Sequence, residues 1–302
     1  MYRMILSAAA PLLVTIAVQP ATADDLNVCQ QTAGENPNTY ILRGIADFRN
    51  GDYDQVISDY DEAIRIDPKC ATAYSGRGNA YSRKGDHDRA IADASEAIRL
   101  SPKYDNAYVV RGAAYGRKGD YDRAISEYDQ AIRLNPRAAT NYLVRAEAYF
   151  HQGDYDHAIA DDNEAIRINP YPTAYVFRGV AYFRKGDYDH AIADYDQAIR
   201  LDPKDALAYH NRGDAYFHKG DHDRAIADAS EAIRLSPKDA GAFNNRGEAY
   251  EAKNDPDHAI ADLDQALKLN PSLEKAHQGL ERVQGLLAKR SNPGTQTNAP
   301  PR

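Results

Sequence analysis

The chain has 302 residues, with 45 acidic side chains against 37 basic ones and a formal net charge of −8. Charged residues are 27% of the total and hydrophobic ones 43%, proportions that suit a folded, soluble body. Its lysines and arginines are spread evenly through an acidic chain, so nucleic acid and anionic membrane surfaces are set aside as partners.

The first element is a processing segment. Arg3, an apolar stretch over residues 4–18 and the small residues Ala21-Thr22-Ala23 predict a signal peptide over 1–23, cleaved before Asp24. Pro11 and the shortness of the run argue against a membrane anchor. The mature chain is therefore expected to be exported to a bacterial periplasm, with no membrane insertion after cleavage; secretion and lipid anchoring are the alternatives. A leader over 24–36 follows. It holds Cys29, and Cys70 is the second cysteine. In an oxidising compartment the two are able to pair, and closing that loop would contribute about 4 kcal/mol in the chain-entropy model. A lipid on Cys29, preceded by Leu26-Asn27-Val28, and two isolated thiols remain as alternatives.

From Pro37 onward the chain repeats itself. Seven units span 37–70, 71–104, 105–138, 139–171, 172–205, 206–239 and 240–273, all 34 residues long except the fourth, one residue short near Pro170-Tyr171-Pro172. Residues 85–103 and 220–238 are identical. Each unit reads as helix, turn, helix. In the second unit Tyr74, Gly78 and Tyr81 share one face of the first helix. Gly85 then takes the left-handed position that ends it, as do Gly51, Gly119, Gly153, Gly186, Gly220 and, in the last unit, Asn254. An aspartate follows every time (Asp52, Asp86, Asp120, Asp154, Asp187, Asp221, Asp255) to cap the second helix. That helix buries Ala90, Ile91, Ala94, Ala97 and Ile98, and Pro102 stops it. Asp47 and Asp162 depart from the pattern, in the first and fourth units. Beyond the repeats, a capping helix is predicted over 274–290, with Leu273, Ala276, Leu280, Val283 and Leu287 on one face. A disordered tail rich in Pro, Asn and Thr is predicted over 291–302.

The recurring pattern Tyr74, Gly78, Tyr81, Ala90, Ala97, Pro102 resembles the tetratricopeptide-repeat family. The resemblance implies an all-α fold, a right-handed superhelical solenoid of seven helical hairpins plus the capping helix. It also implies that the second, fifth, ninth, twelfth and thirteenth positions of each unit are exposed on a concave face that holds a protein or peptide partner.

Two sets of residues stand out against that frame. Each unit carries an arginine (Arg43, Arg77, Arg111, Arg145, Arg178, Arg212, Arg246) and, sixteen residues later, an acid (Asp59, Asp93, Glu127, Asp161, Asp194, Asp228, Asp262). In an antiparallel hairpin these face one another, and they are read as structural ion pairs. Leu280 occupies the arginine position of the capping helix, which has no following helix to supply an acid. The second set is the expected partner face: Phe48, Arg49, Asn79, Arg83, Arg117, Phe150, His151, Phe183, Arg184, Phe217 and His218. A cationic and aromatic stripe suits an extended segment with carboxylates and apolar side chains; the competing reading packs the phenylalanines against the next repeat. The fifth position holds no lysine, which speaks against a chaperone-type carboxylate clamp, and Glu147, Asp214 and Glu248 turn the later groove acidic.

No phosphate-binding glycine loop, zinc signature or nucleophile elbow occurs. No catalytic residue, metal site or cofactor is expected, and the histidines beside the turn aspartates (His87, His157, His190, His222, His258) are taken as surface residues. The expected function is a non-catalytic scaffold or adaptor in the cell envelope. The alternatives are a self-assembling structural component and a regulatory subunit of an envelope enzyme or assembly machine. The sequence does not set the oligomeric state.

Overall fold

The computed structural model describes Cys29 and residues 36–291. The predicted signal peptide, most of the leader and the tail beyond Ser291 lie outside those residues. Within them the chain forms fifteen α-helices and no strand, and no helix is long and apolar enough to cross a membrane. The contacts divide it into two compact units, Met1–Pro170 and Tyr171–Arg302. The division falls where the fourth repeat is one residue short.

The first unit contains four hairpins: α1 (Pro37–Asn50) with α2 (Tyr53–Ile66), α3 (Ala71–Arg83) with α4 (His87–Leu100), α5 (Asp105–Arg117) with α6 (Tyr121–Leu134), and α7 (Ala139–Gln152) with α8 (Tyr155–Ile168). The second contains three: α9 (Pro172–Arg184) with α10 (Tyr188–Leu201), α11 (Ala206–His218) with α12 (His222–Leu235), and α13 (Ala240–Ala252) with α14 (Pro256–Leu269), followed by α15 (Glu274–Ser291). The last helix thus runs one residue past its predicted end. Within each unit every helix packs on the next, and the first helices of successive hairpins also touch. This lays a continuous first-helix face along the unit.

The turns explain why the pattern folds this way. Gly85 has φ +86°, and the Asp86 amide donates back to the Tyr81 carbonyl at 2.9 Å, satisfying a helix-end acceptor that would otherwise be orphaned. Asn254, at φ 64°, is the non-glycine residue that tolerates the same conformation. Asp86 Oδ1 then accepts from the Arg89 amide at 3.1 Å, and every second helix starts with an equivalent aspartate cap.

The core is narrow and made of small residues. Ala90, Ala94 and Ala97 are wholly buried, which lets two helices approach closely, while Ile91 and Ile98 are only half-buried. Where a large side chain enters, a glycine receives it. The Tyr60 ring lies against Gly76 of the next hairpin, where an added Cβ would come within 2.3 Å of Tyr60 Cζ. Each hairpin leaves much of its apolar face to its neighbour, so stacking rather than any single repeat makes the core. Cys29 and Cys70 form a disulfide with their Cα atoms 4.4 Å apart, tying the leader to the end of the first hairpin. Asp162, one of the two departures, is buried.

Candidate partner-binding face

The arginine ladder comes first because it decides which charges are left over. Arg77 Nε and Nη2 donate to the two carboxylate oxygens of Asp93 at 2.8 and 2.7 Å. The same two-pronged pair forms between Arg145 and Asp161, Arg178 and Asp194, Arg212 and Asp228, and Arg246 and Asp262. Arg43 holds one oxygen of Asp59, and Arg111 reaches Glu127 at 2.9 Å. These pairs are largely shielded: the Arg77 and Asp93 side chains are 19% and 11% exposed.

The ladder also has a second arm that sequence reasoning missed. Arg77 Nη1 donates to Asp61 at 2.6 Å, sixteen residues earlier and on the preceding hairpin. Arg111 reaches Ser95, Arg145 reaches Asp129, Arg212 reaches Asp196 and Arg246 reaches Ser230 in the same way. Asp93 first, and Asp61 after it, hold the Arg77 proton more tightly than usual against the opposing effect of burial. A single arginine therefore locks its own hairpin and staples it to the one before. Exposed lysines add an outer row: Lys118 meets Asp88 at 2.6 Å, and Lys84–Asp54, Lys219–Asp189 and Lys253–Asp223 repeat it. Asp88 thus acts on the following hairpin as well as on its own helix end. A constant spacing of thirty residues was the available signal.

The first-helix face differs from expectation in three respects. The fifth position is buried rather than exposed: Ile41, Ser75, Val109, Leu143, Val176 and Asn244 all face into the stack. The twelfth-position phenylalanines are half-buried. Phe48, Phe150 and Phe183 pack on the tyrosines that open their own second helices, Tyr53, Tyr155 and Tyr188, with ring centroids 5.2–5.3 Å apart, and Phe217 sits 5.3 Å from His222. They form a floor rather than a free stripe. Lastly, His87 and His222 are half-buried, whereas His157, His190 and His258 are exposed.

On that floor lie the thirteenth-position residues of the following hairpin. In the first unit the Arg83 guanidinium stands 5.3 Å from the Phe48 ring centroid, a cation over an aromatic face. Its Nε and Nη2 are closed off from solvent and meet no hydrogen-bond acceptor among the described residues. Arg117 has an exposed side chain, but its guanidinium is crowded where it donates through Nη1 to Ser82 Oγ. Burial, reinforced by the like charge of Arg117, pulls Arg83 down to about 10. Burial also lowers Arg117, and burial together with Arg117 and Lys118 lowers His87. His151 lies flat on Tyr121 at 5.3 Å, with Glu147 at 3.8 Å. Asn79 is half-buried between these rows, and Arg49 is exposed at the end of α1.

The second unit has a different character. His218 stacks on Tyr188 at 5.4 Å, meets Phe183 edge-on at 5.2 Å and has Asp214 at 3.6 Å. Arg184 is half-buried at the end of α9. Further along, His210 contacts Asp239 at 3.2 Å and Asn245 at 3.4 Å. Burial would lower His210, yet Asp239 and Asp214 leave it raised; burial raises the Glu248 carboxyl. Among the described residues, one trio, Cys29, Asp67 and Cys70, brings metal-ligand-type atoms within 4.8 Å of one another, and its two sulfurs are joined in the disulfide.

Comparison with known proteins places the whole array. Models described as tetratricopeptide repeat match residues 41–105, 110–171 and 240–273, and one described as TPR repeat matches 179–220 and 213–254. No curated protein matches the chain significantly. Among solved structures, the chain is similar to one from the APC/C hetero-tetramer Cut9-Hcn1, at 23% identity and a TM-score of 0.67, over 82% of this chain and 49% of that one. It is similar to a tetratricopeptide repeat protein of Parabacteroides merdae at 21% identity and a TM-score of 0.61, over 83% and 100% of the two chains. YrrB, described as a TPR protein with an unusual peptide-binding site, matches at 22% identity and a TM-score of 0.51, over 62% and 97%. At these identities the likeness is one of fold.

Proposed function

Because the chain belongs to the tetratricopeptide-repeat family, whose repeats generally mediate protein–protein interaction, we propose that it is a non-catalytic scaffold of the cell envelope. On this reading it holds a segment of a partner protein along the first-helix face. The observation that carries the reading is how the charges divide. The ladder and the lysine row use the seventh-position arginines and the turn lysines for stacking. Arg83, His151 and His218, at the thirteenth position, instead lie on aromatic rings of the first-helix face, where a partner segment would meet them. Export is supported by the N-terminal signal pattern and by a disulfide of the kind that persists in oxidising compartments.

Photo-crosslinking in the native envelope tests this. A crosslinker replacing Asn79 or His151 should yield adducts with a partner protein, and one replacing Arg99, on the second-helix side, should yield none. Adducts from Arg99 alone would overturn the reading. Adducts between copies of the chain would point to self-assembly instead.

A further inference from the structure

The half-buried guanidinium groups of the ladder each face a carboxylate, but Arg83 faces none. Its Nε and Nη2 point to one side as a fork of two N–H donors, shut away from water and without an acceptor among the described residues. A second cation, Arg117, stands close enough to lower it further, and His87 stands near Arg117 and Lys118, with Asp86 and Asp88 of its own turn acting the other way. The Phe48 ring underlies the Arg83 group, and the Tyr53 hydroxyl meets it as well. The carboxylate that acts on Arg117 is Glu147, which leans toward His151 on its own helix. Holding two guanidinium groups together while two shielded N–H donors of Arg83 go unmet is unfavourable unless something supplies an acceptor.

The fold does not require this arrangement. In the second unit the same floor recurs as Phe183 and Tyr188, beneath a second helix of identical sequence. There Ser82, Arg83 and Arg117 are replaced by Phe217, His218 and Ala252. That hairpin keeps the same internal packing without Arg83 and Arg117, so the hairpin itself does not depend on them.

We propose that Ser82, Arg83, His87 and Arg117 form an oxyanion-binding site in the first unit, which takes a carboxylate or phosphate group carried by the bound partner. The Arg83 fork matches two oxygens of either group. Arg117 turns from Ser82 to close over it, and the Ser82 hydroxyl is then free to donate. This rests on the scaffold reading for what presents the group, but binding of the group itself is separately measurable.

The test follows the His87 ring by NMR in the full mature chain, titrated in separate arms with inorganic phosphate and with glutarate against chloride of equal ionic strength. Either anion should saturate and raise the His87 pKa, because the new negative charge offsets Arg117; the His222 signals should not move. Arg117→Ala and Arg83→His borrow the residues of the second unit, so they should keep the melting profile while weakening binding about tenfold or more. Tighter binding of phosphate would identify a phosphorylated partner, and tighter binding of glutarate an acidic segment. No response beyond chloride, or a response that survives Arg117→Ala, would overturn the site. Either failure would leave the crosslinking result standing, so the two readings are separable.

Discussion

Residues 85–103 and 220–238 have the same amino-acid sequence, yet the two copies carry different faces. Both are capped by the same aspartate and held by the same arginine, Arg77 to Asp93 in one unit and Arg212 to Asp228 in the other. The difference comes from outside the shared stretch. His87 is crowded by Arg117 from the next hairpin, whereas the equivalent position in the second unit holds Ala252. Identical sequence thus specifies an identical hairpin, and the chemistry of its surface is decided by the neighbouring repeats.

The disulfide is the largest asymmetry, because it ties down the first unit alone. Cys70→Ser should lower the stability of that unit by about 4 kcal/mol, read as loss of the higher-denaturant part of the unfolding curve. An equal fall in both units, followed by hydrogen exchange, would show that they unfold as one. Next comes the glycine that receives Tyr60. Gly76→Asn, which installs the residue found at the matching position 211, should cost about 3 kcal/mol through overpacking. The reverse change, Asn211→Gly, should cost about 1 kcal/mol or less.

The ladder should act alike in both units. Arg77→Leu and Arg212→Leu should each cost about 2 kcal/mol by stranding a shielded aspartate. The paired changes with Asp93→Leu or Asp228→Leu should recover more than half of it. Unequal losses in chemical denaturation would mean that Asp61 and Asp196, the back-reaching partners, matter more than the shared pair. A smaller effect concerns pH. His210 is raised above 6.5, so its contact with Asp239 stabilises the second unit most fully below pH 6.5 and is lost as pH rises through the folded value. His87 is lowered, so its contribution has the opposite sign: it is present above pH 6.5 and lost on acidification. His210→Ser, which copies Ser75, should flatten the decline of second-unit stability between pH 6 and 8, whereas a His87 change should not.

The hairpins, their caps and the first arm of the ladder were legible because each depends on spacing within one repeat. Gly85, Asp86, Arg77 and Asp93 announce themselves by recurring. The second arm to Asp61 and the Lys118–Asp88 row need the distance between stacked hairpins, which no single repeat contains. The first-helix face was read less well for the same reason. Ser75 and Val109 stand at positions expected to be open but face into the stack. Arg83 and Arg117, thirty-four residues apart, come together through packing.

The central claim is that the residues flanking an identical hairpin decide what it binds, and transplanting them tests it directly. Calorimetric titration with phosphate should find one site in the natural chain and none after Arg83→His with Arg117→Ala. It should find two after Phe217→Ser, His218→Arg and Ala252→Arg are added to the natural chain. A single site in the transplanted chain with an unchanged melt, or a site that persists in the first variant, would contradict the account.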